Sequence, residues 1–242
     1  MKGGRYAPFL PMTNINDIFQ RVREKTDSII LFHSATGDSI LLTDFCFKWF
    51  KTVQLVYMYF VPCLQHVNNY IQHTENKYNT KFIQVPHYAL GSYIKRGFMG
   101  MKKDENQRLF TLSDIVEMTK TQVNIQWAMM GFKQADGLNR RLMLRGYDLN
   151  AINWNNQKVY PLSEWKNSQV LQYIDNLNLI KPLSIDNNRS QGQNISDINY
   201  LLWLKNNYPE DLELTIKYFP FCRHKLFDYE CQKNRENSLQ SI

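Results

Sequence analysis

The sequence predicts an α/β fold: a doubly wound, mostly parallel sheet with a small helical appendage at its C-terminal end. Three observations point there. Short apolar runs alternate with segments of helical periodicity three times between Asp27 and Pro86, the pattern of successive βαβ units. These runs are apolar at nearly every position, as strands covered on both faces are. The first run passes into a helix through Ser34-Ala35-Thr36-Gly37-Asp38-Ser39, a turn of small, hydroxyl-bearing residues.

Composition bounds the rest. A chain of 242 residues with 43% hydrophobic content can bury a sizeable core, enough for one large domain and a small addition. We expect an α/β domain over 1–182, whose N-terminal arm and first helix occupy 1–26, and a linker with helical appendage over 183–242. No apolar run approaches the ~18 residues of a membrane span. The start, MKGGRYAPFLPMTN, has no sustained hydrophobic segment, so a cytoplasmic protein without a membrane partner is expected. Cys46, Cys63, Cys222 and Cys231 form no Cys-x-x-Cys pair, which argues against a disulfide scaffold and an iron–sulfur cluster. Cys222, His224 and Cys231 lack the fourth ligand and spacing of a zinc site. The net charge of +7 is compatible with nucleotides or nucleic acid, although the basic residues are dispersed.

Thr13 or Asn14 can cap a helix over Ile15–Lys25, with Ile15, Ile18, Phe19 and Val22 on one face. Ser28–Phe32 is the first strand. From Asp38 to Lys51 the apolar residues Ile40, Leu41, Cys46, Phe47 and Phe50 share a helical face. The turn between them is suited to an anion: the first helical N–H groups lack internal partners, the helix dipole favours negative charge, and Gly37 allows close approach. The same residues also read as ordinary N-cap chemistry. Gln54–Val61 is the second strand, 64–78 a second helix, and Lys81–Val85 a third strand stopped by Pro86. Gly91–Asn106, with three glycines, Lys95, Arg96, Lys102 and Lys103, reads as a long, mobile, basic loop. Ser113 can cap a short helix to Lys120. Asn124–Gly131 is the fourth strand, followed by Lys133, Asp136, Arg140 and Arg141 at its carboxyl end, where open α/β sheets bind ligands. Arg and Lys there suit phosphate. Lys158–Leu162 reads as an edge strand, since it holds Pro161. Ser163 then caps a helix with Val170, Tyr173, Ile174 and Leu177 along one stripe. The polar stretch 183–197 is a linker, and helices over 199–205 and 212–218 complete the appendage.

In order and spacing these features resemble the phosphoadenosine phosphosulfate (PAPS) reductase branch of the PP-loop adenine-nucleotide hydrolases, over about residues 27–182. The Ser34–Ser39 turn is similar to the family's Ser-Gly-Gly-Lys-Asp-Ser loop at Ser34, Asp38 and Ser39. Val56–His87 resembles its second strand, following helix and third strand. Gly131–Arg141 is similar to its Gly-x-Arg/Lys-x-x-Glu/Asp-x-x-x-Arg block. Pro161, Leu162, Trp165, Tyr173 and Ile174 match its closing segment. The resemblance implies an adenine nucleotide, PAPS or ATP, at the carboxyl edge of the sheet. Ser34, Ala35, Thr36, Gly37, Asp38 and Ser39 would hold its phosphates. Tyr59, Phe60 and Val61 would flank the adenosine. Gly131, Lys133, Asp136, Arg140 and Arg141 would face the sulfate or terminal phosphates. Asp38 would help hold Mg²⁺ and take part in catalysis. A thioredoxin-like reductant would follow for the sulfate-reducing branch, and an acceptor for the ATP-splitting one.

The departures are specific. Ala35 and Thr36 replace both loop glycines, and Gly37 replaces the loop lysine. Phe60-Val61-Pro62 stands where the family often has Asp-Thr-Gly. The family's C-terminal Glu-Cys-Gly-x-His segment survives only as Glu230-Cys231. Cys231 is therefore a candidate nucleophile on the resemblance alone, with an incidental cysteine as the competing reading. Three functions stay open: a sulfate-reducing or ATP-splitting enzyme, a binding protein that kept the fold without the chemistry, and a protein of nucleic-acid sulfur modification. The appendage either closes over the nucleotide or mediates a homodimer.

Overall fold

Asn14 accepts from the Asn16 N–H at 3.1 Å and so starts the first helix, α1 (Ile15–Arg23). The structure, a computed structural model, describes residues 14–181 and 195–240. The expected N-terminal arm and most of the polar linker lie outside them. The order continues β1 (Ser28–His33), α2 (Gly37–Trp49), β2 (Thr52–Tyr59), α3 (Gln65–Tyr78) and β3 (Phe82–Pro86). It proceeds through α4 (Leu90–Arg96), α5 (Leu112–Val123), β4 (Ala128–Met129), α6 (Leu138–Arg145), β5 (Ile152–Asn153) and β6 (Lys158–Val159). It ends with α7 (Asn167–Asn176), α8 (Ile198–Asn207), α9 (Pro209–Tyr218) and α10 (Phe221–Gln240).

The six strands form one sheet in the order β3-β2-β1-β4-β6-β5, parallel except for β5. β1 is central, with Ile30 paired to Gln54 on one side and Ala128 on the other. Its side chains alternate between faces, as strand geometry requires. Ile29 and Leu31 join the core under α1, α2 and α7, whereas Ile30 and Phe32 pack with Ile115 and Val116 of α5. A third apolar cluster joins Tyr57, Val61, Leu64 and Val67 to Tyr200, Leu204, Leu212 and Phe219 of the C-terminal helices.

Several expectations are corrected. The segment 91–106 is not one long loop: α4 and a 3₁₀ turn at Phe98–Gly100 occupy its first part. Gly97 ends α4 at φ 64°, a left-handed position that glycine adopts without strain. The fourth strand shrinks to Ala128–Met129. Lys158–Val159 is interior, lying between β4 and the antiparallel β5, because Pro161 falls beyond it. Thr111, not Ser113, caps α5 through a capping box with Asp114. Lys166, not Ser163, precedes α7, and Gln169 takes its backbone N–H. Ser163 is buried, and its carbonyl accepts the Gln134 N–H at 2.7 Å.

Candidate nucleotide site

The carboxyl ends of β1, β2 and β4 open into a cavity of about 360 Å³. The turn Ser34–Ser39 forms its floor. Thr36 sits in extended backbone before α2, and the Ser39 hydroxyl accepts the Thr36 N–H at 3.2 Å. That hydroxyl also accepts the Ser34 N–H at 3.2 Å and donates to the Thr36 carbonyl at 3.0 Å. The Ser34 and Thr36 hydroxyls lie 2.9 Å apart. Ala35 adopts φ 57°, a left-handed conformation where the family carries glycine. Its N–H donates to His33 Nδ1 at 2.9 Å. Because Nδ1 accepts, the neutral ring carries its proton on Nε2, which meets the Tyr70 hydroxyl at 3.0 Å. Burial pushes His33 down to about 3, so it stays neutral.

The second wall follows β4. A Cβ added to Gly131 would stand 2.9 Å from the Asp38 Cβ, so the absent side chain is what lets this strand end meet α2. The Lys133 ammonium is bonded to Asp38 Oδ2 and is itself buried. Burial raises the Asp38 carboxyl above its ordinary range, and Lys133 opposes that shift. Asp136 Oδ2 accepts the Lys133 N–H at 2.8 Å. Arg140 lies over the Phe132 ring, 3.3 Å from its centroid. The far wall is aromatic: His87 stacks on Phe60 at 4.2 Å and on Tyr88 at 4.3 Å between centroids. Burial lowers His87 to about 4.

Of the expected residues, Ser34, Thr36, Asp38, Ser39, Phe60, Gly131, Asp136 and Arg140 line the cavity. Ala35 and Gly37 shape the turn without lining it, and Lys133 sits behind Asp38. Tyr59 and Val61 point into the cluster under the C-terminal helices. Arg141 is exposed outside the cavity. Cys231 lies on α10 and is not among the lining residues. His33, Tyr57, Met58, His87, Tyr88 and Phe132 line it as well. Their place at a strand's carboxyl end or within three residues of it was the available signal.

A mostly parallel sheet with its cavity at the strand carboxyl ends, floored by a hydroxyl turn before a helix, defines a nucleotide-using α/β protein. The chain belongs to the phosphoadenosine phosphosulfate reductase domain family, which it matches over residues 28–184, well over half its length. No curated protein matches it significantly. Among solved structures it is similar to an NH₃-dependent NAD synthetase from Campylobacter jejuni, solved with nitrate, at TM-score 0.45 and 14% identity. That match covers 88% of this chain and 92% of the other. It is also similar to an NMN synthetase from Francisella tularensis at TM-score 0.42 and 11% identity, covering 88% and 96%.

Proposed function

We propose that this chain binds an adenine nucleotide in the cavity, as a PAPS reductase-family protein of sulfur metabolism. The carrying observation is that the Ser34–Ser39 turn and Arg140 meet in one cavity at the strand carboxyl ends. The phosphoryl end lies toward the Ser34 and Thr36 hydroxyls and Arg140. The base lies toward Phe60 and His87, whose stacked rings offer an aromatic platform. The substrate acted upon is then an activated sulfate or ATP.

The donor set does not build a metal cage. No group of three or more His, Cys, Asp or Glu residues is placed to hold an ion among the described residues, and Asp38 is already bonded to Lys133. Magnesium would come with the nucleotide's phosphates. A second reading, binding without turnover, is favoured by the turn itself: the N–H groups of Ser34, Ala35 and Thr36 are all bonded inside the protein.

Calorimetric titration with PAPS, ATP and AMP tests the binding. Saturable binding of at least one is expected, weakened about tenfold by Arg140→Ala, the loss of one charge-assisted contact. Binding of none would overturn the proposal. A thioredoxin-coupled sulfite assay with PAPS and a pyrophosphate-release assay with ATP separate the two readings: either product supports turnover and neither supports binding alone, while sulfite formation that survives Cys231→Ser removes Cys231 as nucleophile.

A further inference from the structure

The cavity is short of positive charge for a nucleotide site. Among the described residues lining it, Arg140 is the one permanent cation, and Asp38 and Asp136 are the carboxylates. The wall imidazoles of His33 and His87 are neutral at physiological pH. Lys133, the next cation, is consumed by Asp38 and is only 3% exposed. Neutral donors are scarce too, since three turn amides are already bonded to Ser39 and His33. An anion is left with two hydroxyls, the start of α2 and one guanidinium.

That set matches one phosphoryl group. Each phosphate monoester brings roughly −1.5 to −2 at neutral pH. The Asp38 charge is met by Lys133, so a second or third phosphate would stand near the Asp136 carboxylate with no further lining cation to meet it, and unpaired charge in a partly desolvated site is costly.

We propose that the site takes an adenine mononucleotide, AMP or a 5′-adenylate ester, in preference to polyphosphorylated or 3′-phosphorylated nucleotides. The proposal rests on the nucleotide reading above and narrows it. The aromatic wall holds the base, and Arg140 with the Ser34 and Thr36 hydroxyls holds the single phosphoryl group.

The test is a Mg²⁺-free titration series at fixed ionic strength with adenosine, AMP, ADP, ATP and adenosine 3′,5′-bisphosphate. Affinity should peak at AMP and fall about tenfold or more by ATP. Arg140→Ala should remove the gain of AMP over adenosine while leaving adenosine binding in place. Asp136→Asn, which keeps an oxygen for the Lys133 N–H, should narrow the AMP-to-ATP gap severalfold. Affinity that rises from AMP to ATP, or that is highest for the bisphosphate, overturns the mononucleotide proposal and leaves the nucleotide reading standing. A gap unmoved by Asp136→Asn also counts against it. Binding of no compound in the series overturns both.

Discussion

Ala35 carries the clearest local conflict between sequence and conformation. Holding an alanine at φ 57° costs on the order of 1 kcal/mol, and the Ala35 N–H to His33 contact offsets it. Ala35→Gly should leave the protein at least as stable, with a gain of up to about 1 kcal/mol in urea denaturation. A clear loss would mean that the turn is not strained there. Gly131 has the opposite character. Gly131→Ala would drive a methyl group against Asp38, and a loss of about 1–3 kcal/mol is expected for such overpacking. His33 adds a pH dependence. Its pKa falls from 6.5 in the unfolded chain to about 3 when folded, so the unfolded state takes up the proton first. Its contribution is complete above pH 6.5 and is lost as pH falls toward 3, at up to ~1.4 kcal/mol per pH unit. His87 acts with the same sign. His33→Asn should show a shallower decline than the parent between pH 7 and 4; parallel curves would contradict the assignment.

At the level of elements, α3 is tied down by a residue almost 150 positions away. Asp211 on α9 accepts the Gln65 N–H at 2.6 Å and the His66 N–H at 3.0 Å, the first unpaired donors of that helix. It also meets His66 Nδ1 at 2.6 Å, with both side chains buried. Asp211→Asn can keep only part of this set, and a loss of about 2–3 kcal/mol is expected by thermal unfolding. None of this was legible beforehand, because Asp211 reads in sequence as an ordinary first-turn acid of its own helix. β1, β2 and β3 were legible because short, mostly apolar runs carry them, four apolar residues in a row in β1 and five in β2. β4 and β6 fall inside the expected runs 124–131 and 158–162 but pair over only two residues each, and β5, also two residues long, carries no periodicity of its own and was not expected. α6 and α10 were missed for a related reason: α6 buries only Leu144, and the described part of α10 buries Cys222 and Leu226 among polar neighbours. In the site, hydroxyl and basic residues announced themselves, whereas His33 and His87 looked like strand punctuation.

For the molecule as a whole, the C-terminal helices are part of the core. They cover Tyr57, Val61, Leu64 and Val67 at the end of β2 and on α3, and α3 in turn carries Tyr70, which contacts His33 beneath the Ser34–Ser39 turn. Removing 195–242 should expose that apolar face, yielding an aggregation-prone chain that binds a hydrophobic dye; a soluble, dye-silent product would refute the shared core. The sheet order has a consequence in time. β1 finds one neighbour, β2, within the next 25 residues, but its other neighbour, β4, pairs at Ala128, 98 positions after Ile30. During synthesis the central strand therefore stands as an open edge until more than half the chain has emerged. Non-local pairing of this kind is slow, and an unpaired apolar strand is a template for the wrong partner. The nascent protein is most exposed to misassembly in that interval, and translation speed between β2 and β4 should set its yield.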